Sequence, residues 1–123
     1  MKTKQKTQAL GIWGEETAAR YLQSFGWTIL DRNWRCSRGE LDIVAFDPYR
    51  DALVAVEVKT RRSLRQGLPQ EAVTPAKLER IRLAFRQWRS AQHRRATHIA
   101  IDVLALTVET YDNFRINHIR DAL

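Results

Sequence analysis

The chain has 123 residues, 44% of them apolar and 28% charged, and its 21 Lys and Arg against 14 Asp and Glu leave a net charge of +7. That is one domain's length with enough apolar surface for its own core, and its charge favours a polyanion such as DNA or RNA over an anionic membrane surface. No run approaches the ~18 apolar residues of a membrane span, the N-terminus lacks the apolar core of a secretory signal, and a single cysteine, Cys36, excludes a disulfide framework or a Cys-rich zinc site. A cytoplasmic protein with one domain over residues 1–123 is the expectation.

Residues 1–6 read as a frayed basic tip. Helical periodicity starts near Thr7 and runs to about Phe25, where Gly26 supplies a stop. Gly11, Gly14, Ala18, Tyr21, Leu22 and Phe25 share one arc, the expected buried face. Each glycine costs a helix roughly 1 kcal/mol, so two on that arc predict either a close backbone approach or an irregular first turn. Trp27–Arg35, Glu40–Phe46 and Leu53–Thr60 read as strands, the last two joined by the turn-rich Asp47-Pro48-Tyr49-Arg50-Asp51 into an antiparallel hairpin. A polar loop, Arg61–Val73, leads to a helix with Thr74 as N-cap, Pro75 in its first position and a core stripe of Leu78, Ile81, Phe85 and Trp88. Thr97–Leu106 and Val108–Ile116 read as two closing strands. The order α-β-β-β-α-β-β predicts an α/β domain, a mixed sheet flanked by helices.

The chemistry concentrates in Gly39-Glu40-Leu41-Asp42-Ile43-Val44 and Val54-Ala55-Val56-Glu57-Val58-Lys59. Alternation along a strand sends Leu41, Ile43 and Ala45 to one face and Glu40 and Asp42 to the other. Likewise Val54, Val56 and Val58 oppose Glu57 and Lys59. Toward the turn both faces are apolar, so these are buried strands whose far ends open into a polar site. Centring the hairpin on Tyr49–Arg50 places Asp42 opposite Glu57 and Glu40 opposite Lys59. Cross-strand partners lie about 5 Å apart. Two carboxylates that close repel unless a cation sits between them, and Mg²⁺ or Mn²⁺ suits oxygen ligands. Such an ion activates water and neutralises charge on a phosphodiester, with Lys59 placed to hold the water or the developing charge. A lone Glu-x-Lys is commonly a surface ion pair; Asp42 in register and the apolar flanks set this one apart. Glu15 borders the apolar arc of the first helix and can reach inward, whereas Glu16 faces solvent.

Gly11-x-x-Gly14-Glu15-x-x-Ala18-x-x-Tyr21-Leu22, Asn33-x-Arg35-x-x-x-Gly39-Glu40-Leu41-Asp42 and Val56-Glu57-Val58-Lys59-Thr60-Arg61, followed by Gly67, Ala72-Val73, Lys77 and His118-Ile119, resemble the bacterial YraN-like family. That family is similar to archaeal Holliday-junction resolvases within the PD-(D/E)-x-K superfamily. The resemblance implies a restriction-endonuclease-like fold and a metal-dependent nuclease core. In it Asp42, Glu57 and Val58 bind the metal, Lys59 completes the motif, Glu15 matches a helix glutamate of the resolvase-like branch, and Glu40 is an accessory. Leu41 stands where the superfamily has a proline.

Arg61, Arg62 and Arg65 place basic residues at the mouth of this site. Lys77, with Arg80, lies on one flank of the second helix, and Arg82, Arg86 and Arg89 gather on the other, all candidates for phosphate contacts that position a nucleic acid without reading its sequence. Trp13 and Trp34 are candidates for base stacking; Trp88 lies on the core stripe. The expected function is a Mg²⁺- or Mn²⁺-dependent endonuclease acting on DNA rather than RNA, branched or single-stranded. The alternative is a non-catalytic nucleic-acid-binding module of the same fold. A homodimer is compatible with either, and nothing in the sequence establishes one.

Overall fold

The computed structural model describes residues 2–62, 73–92 and 96–122, with side chains from Thr7 onward. Seven elements follow the expected order: α1 (Lys2–Ser24), β1 (Thr28–Cys36), β2 (Gly39–Asp47), β3 (Ala52–Arg61), α2 (Pro75–Ser90), β4 (His98–Thr110) and β5 (Asn113–Ile119). One sheet contains all five strands in the order β1-β2-β3-β4-β5. Neighbours are antiparallel except β3 and β4, which run parallel and are joined through α2. A mixed sheet flanked by helices in this order is a restriction-endonuclease-like arrangement.

The two helices bury opposite faces of the sheet. Leu10, Ala18 and Leu22 of α1 pack with Ile43, Val54, Val56 and Leu104. Ile81, Ala84, Phe85 and Trp88 of α2 pack with Val44, Leu53, Ala55 and Ile101. Successive β3 residues therefore belong to different cores, which is why the strand is apolar on both faces.

The first helix begins at Lys2, ahead of the expected start at Thr7. Its opening Lys and Gln residues favour helix without carrying an apolar period. Gly14 explains one of the two costly glycines. A Cβ there would lie 1.9 Å from Thr60 Oγ1 and 2.9 Å from Thr60 Cβ, so α1 rests directly on β3. Space is open around Gly11. Phe25, expected in the buried face, follows the last helical residue and is 51% exposed, with its ring edge on Tyr21. Gly26 then turns the chain at φ +85°, while Trp27 N–H donates to the Leu22 carbonyl.

Thr74 caps α2 as expected, its hydroxyl accepting from Lys77 N–H at 3.2 Å, with Pro75 in the first helical position. The two closing strands divide later than expected. Thr107 stays inside β4, paired with Arg61 and Arg115, and the turn falls at Tyr111–Asp112. Buried Leu106 and Val108 hold Thr107 in the strand, whereas Asp112 is a turn former. Among the described residues, no helix is long and apolar enough to cross a membrane.

Candidate active site

The β2–β3 ladder runs from Asp47↔Ala52 to Ile43↔Val56. The next step would face Asp42 with Glu57, the register expected from the turn. Main-chain pairing stops there, and the Asp42 carboxylate instead accepts from Val58 N–H at 2.9 Å. On its other side the β1–β2 ladder skips Asn33/Asp42, pairing Arg32 with Ile43 and Trp34 with Leu41. Asn33 lies in the left-handed region at φ +51°, which asparagine tolerates better than most residues. Asp42 is thus excluded from the ladder on both sides.

This irregularity corrects one expectation. Leu41 does not share a face with Ile43 and Ala45. It packs in the α2 core, while they pack in the α1 core. Simple alternation breaks at Asp42 because the strand rolls there. On β3 alternation holds: Val54 and Val56 face α1 with Val58 packed beside them, and Glu57 reaches α2.

Glu57 is the most perturbed carboxylate of the site. Its side chain is 11% exposed, and its one ion-pair partner among the described residues is Lys77 Nζ of α2, at 3.3 Å. Burial, then the neighbouring Asp42 charge, push its pKa up to about 7 against the pull of Lys77. Glu15 is half-buried on α1. Burial and Asp42, with a smaller contribution from Glu40, raise its pKa, opposed by a hydrogen bond from Asn33 and by Arg32. Asp42 therefore sits in the electrostatic reach of both Glu57 and Glu15. Glu16 turns away to pair with Arg20 and Arg32. Glu40 is exposed and pairs with Arg35 across the β1–β2 ladder at 3.4 Å.

The expected basic residues divide. Lys59 is exposed, two residues beyond Glu57 on β3. Arg61, expected in a loop, is instead the last residue of β3 and buried at 3% exposure, so it presents no surface to a phosphate; Arg62 beside it is exposed. Arg65 lies outside the described residues, as do Gly67 and Ala72. Arg82 is held by Glu79 through two hydrogen bonds, and Arg89 lies over the Phe85 ring with its centre 5.0 Å away. Arg86 is exposed. Of the tryptophans, Trp88 is core and donates to Asp31, Trp34 packs against the α2 core, and Trp13 stacks on Tyr111.

Sequence reasoning missed two participants. Lys77, expected on a helix flank as a phosphate contact, instead reaches Glu57 of β3 with its side chain. Asn33 carried a motif position without a role, and it holds Glu15.

Among the described residues no group of three or more His, Cys, Asp or Glu side chains is gathered as a ligand set. The Asp42–Glu57 pair nevertheless fits a hard divalent cation, since Mg²⁺ keeps several waters and commonly takes one or two carboxylates. It does not fit a soft metal, which needs thiolate or imidazole.

Residues 14–106 match the model of the uncharacterised protein family UPF0102. The chain belongs to that family. A UPF0102 protein of Rhodococcus opacus (strain B4) is 46% identical over 114 residues, 93% of this chain and 95% of its own length. One from Arthrobacter sp. (strain FB24) is 48% identical over 111 residues, 90% and 92% of the two chains. One from Geobacter sulfurreducens is 45% identical over 113 residues, 92% and 87%. The fold of this UPF0102 member, by its element order and sheet topology, is a restriction-endonuclease-like arrangement of the PD-(D/E)-x-K kind.

Proposed function

We propose that this UPF0102 protein is a divalent-metal-dependent nuclease that hydrolyses phosphodiester bonds of DNA. The observation that carries this reading is the Asp42–Glu57 contact: two carboxylates meet where β2 and β3 stop pairing, one buried and pushed up to about 7 by burial and by the other's charge. Lys77 offsets only part of that repulsion, and a divalent cation would relieve the rest. Asp42, Glu57 and the main-chain oxygen of Val58 would hold Mg²⁺ or Mn²⁺, with Glu15 as a further carboxylate and Glu40 an accessory. When bound, the ion supplies charge neutralisation on a non-bridging phosphate oxygen and a more acidic water. Lys59 donates hydrogen bonds to the attacking water or to the oxygens that gather negative charge around the pentacovalent phosphorus. Asn33 orients Glu15. Arg62, Arg65 and Arg86 add positive charge that holds the backbone without reading bases. The setting is the cytoplasm, where such a substrate resides.

The test is a panel of labelled plasmid, single-stranded and four-way-junction DNA with Mn²⁺. Wild type nicks or cuts at least one substrate, and Asp42→Ala, Glu57→Ala and Lys59→Ala abolish it. Absence of cutting across the panel sinks the nuclease reading.

A second reading rests on the Lys77–Glu57 ion pair and the lack of a three-residue ligand set among the described residues. The same fold would then be a nucleic-acid-binding module whose site stays closed by its own lysine. It predicts undiminished binding by Glu57→Ala and no cutting by wild type.

A further inference from the structure

The flank of α2 richest in arginine offers less free charge than its sequence promises. Arg82 is neutralised by Glu79, and Arg89 is half-buried against Phe85. The opposite flank is different. Between the first half of α2 and the turn joining β1 to β2 lies a cleft of about 390 Å³. Glu57 lines it, so it reaches one member of the acidic pair. Three cations converge on it, Arg35, Lys77 and Arg80. Lys77 is held by Glu57 and Arg35 by Glu40; Arg80 has no ion pair among the described residues. Ile81, buried at 4%, supplies an apolar wall.

The cleft is built into the fold. Gly39, at φ +148°, closes the β1–β2 turn so near α2 that an added Cβ would stand 3.8 Å from the Arg80 carbonyl oxygen. A side chain there would be strained by its backbone and would crowd the cleft's mouth.

Resting on the nucleic-acid reading above, we propose that this cleft is the subsite for one unpaired nucleotide next to the bond to be cut, its phosphate gripped by Arg80 and Lys77 with Arg35 at the rim. Guanidinium forks and ammonium groups are the donors a phosphate takes. The apolar wall accepts a sugar or base face. The volume lies at the low end for small-ligand pockets, which suits one nucleotide unit and not a duplex. A continuous duplex therefore touches only the rim, whereas a flap, fork or single strand can feed a nucleotide in. Arrival of the phosphate also gives Lys77 an alternative partner to Glu57.

Binding without metal separates this proposal from the nuclease reading. In EDTA, fluorescence anisotropy compares a labelled single strand, the same strand in a blunt duplex, and the same strand as the flap of a nicked duplex. Wild type should hold the single strand and the flap more tightly than the duplex. Arg80→Ala and Lys77→Gln should each weaken strand and flap binding about tenfold, the loss of one charge-assisted contact, with duplex affinity changed less than about twofold. The slope of log affinity against log salt on single strands should fall by about one for each cation removed. Arg80→Lys should recover part of the loss. Arg115→Ala, an exposed charge on β5, removes the same net charge and should leave the preference between strand and duplex intact. A wild-type preference for duplex, or equal losses on strand and duplex in Arg80→Ala, overturns the subsite. A protein that shows the strand effects and never cuts keeps the subsite and loses the nuclease; a cutter whose Arg80→Ala variant binds strands like wild type does the reverse.

Discussion

Asp102 and Glu57 are carboxylates withdrawn from water on adjacent strands, β4 and β3, and they meet opposite fates. Asp102 is fully buried. Burial alone would raise its pKa, yet hydrogen bonds from His118 and Arg50, then the Asp121 N–H, hold it below the usual range. Arg50 Nη2 lies 2.6 Å away and His118 Nε2 2.8 Å. Arg50 also grips Asp47 and lies over the Trp27 ring, so one guanidinium ties the β2–β3 turn to the centre of the sheet. Glu57 is somewhat less buried and far less satisfied. It has one lysine, and a carboxylate for a neighbour. A carboxylate supplied with all its donors is architecture; one left wanting a cation is poised for a ligand.

The largest expected effect tests the first half of this contrast. Asp102→Ala leaves the Arg50 guanidinium without its main acceptor and should cost about 3–5 kcal/mol in denaturant titration. A loss below about 1 kcal/mol would remove the structural role assigned to the cluster.

The second concerns pH. The Glu57 pKa in the folded protein, about 7, stands above its ordinary 4.5. Its contribution to stability is therefore complete below about 4.5 and is lost as pH climbs through about 7. Glu57→Gln removes that dependence. In EDTA the variant should be more stable than wild type at pH 8 by roughly 1–3 kcal/mol, with the gap closing at pH 5. Asp102 runs the other way, contributing stability above its ordinary range and losing it on acidification. An unchanged gap between pH 5 and pH 8 for Glu57→Gln would mean that the folded protein does not raise the Glu57 pKa, and would erase the contrast.

The smallest effect sharpens it. Lys77 pulls the Glu57 pKa down, so Lys77→Met should destabilise the protein by about 1 kcal/mol at pH 8, in the range of a partly exposed ion pair, and leave pH 5 unaffected. A loss of equal size at both pH values would mean that Lys77 acts through packing of its alkyl chain.

The legible part of the site was the part governed by short range. A five-residue turn flanked by alternating strands fixes a register, and that register brings Asp42 toward Glu57 without knowledge of the rest of the fold. Glu15 was legible because helix periodicity separates it from Glu16. Lys77 was legible as a cation and not as a neighbour of Glu57, since that needs the height of α2 over the sheet. Asp102 went unremarked inside an apolar run, although a lone aspartate among Ile, Ala, Val and Leu demands donors; its partners lie 52 positions earlier in Arg50 and 16 later in His118. The change of face at Asp42 was invisible because it shows only in the pairing of β2 with its neighbours, where it lies opposite the left-handed Asn33 of β1.

The contact between Gly14 and Thr60 divides the labour of the two helices. With no side chain between them, α1 meets β3 at close range there, and Glu15, the next residue, is carried at that point of closest approach. Across the sheet, the cations of α2 stand on long, pivoting stems. The acidic residue of α1 is thus held at a distance from the sheet set by the absence of one methyl group, and the basic residues of α2 only by flexible side chains.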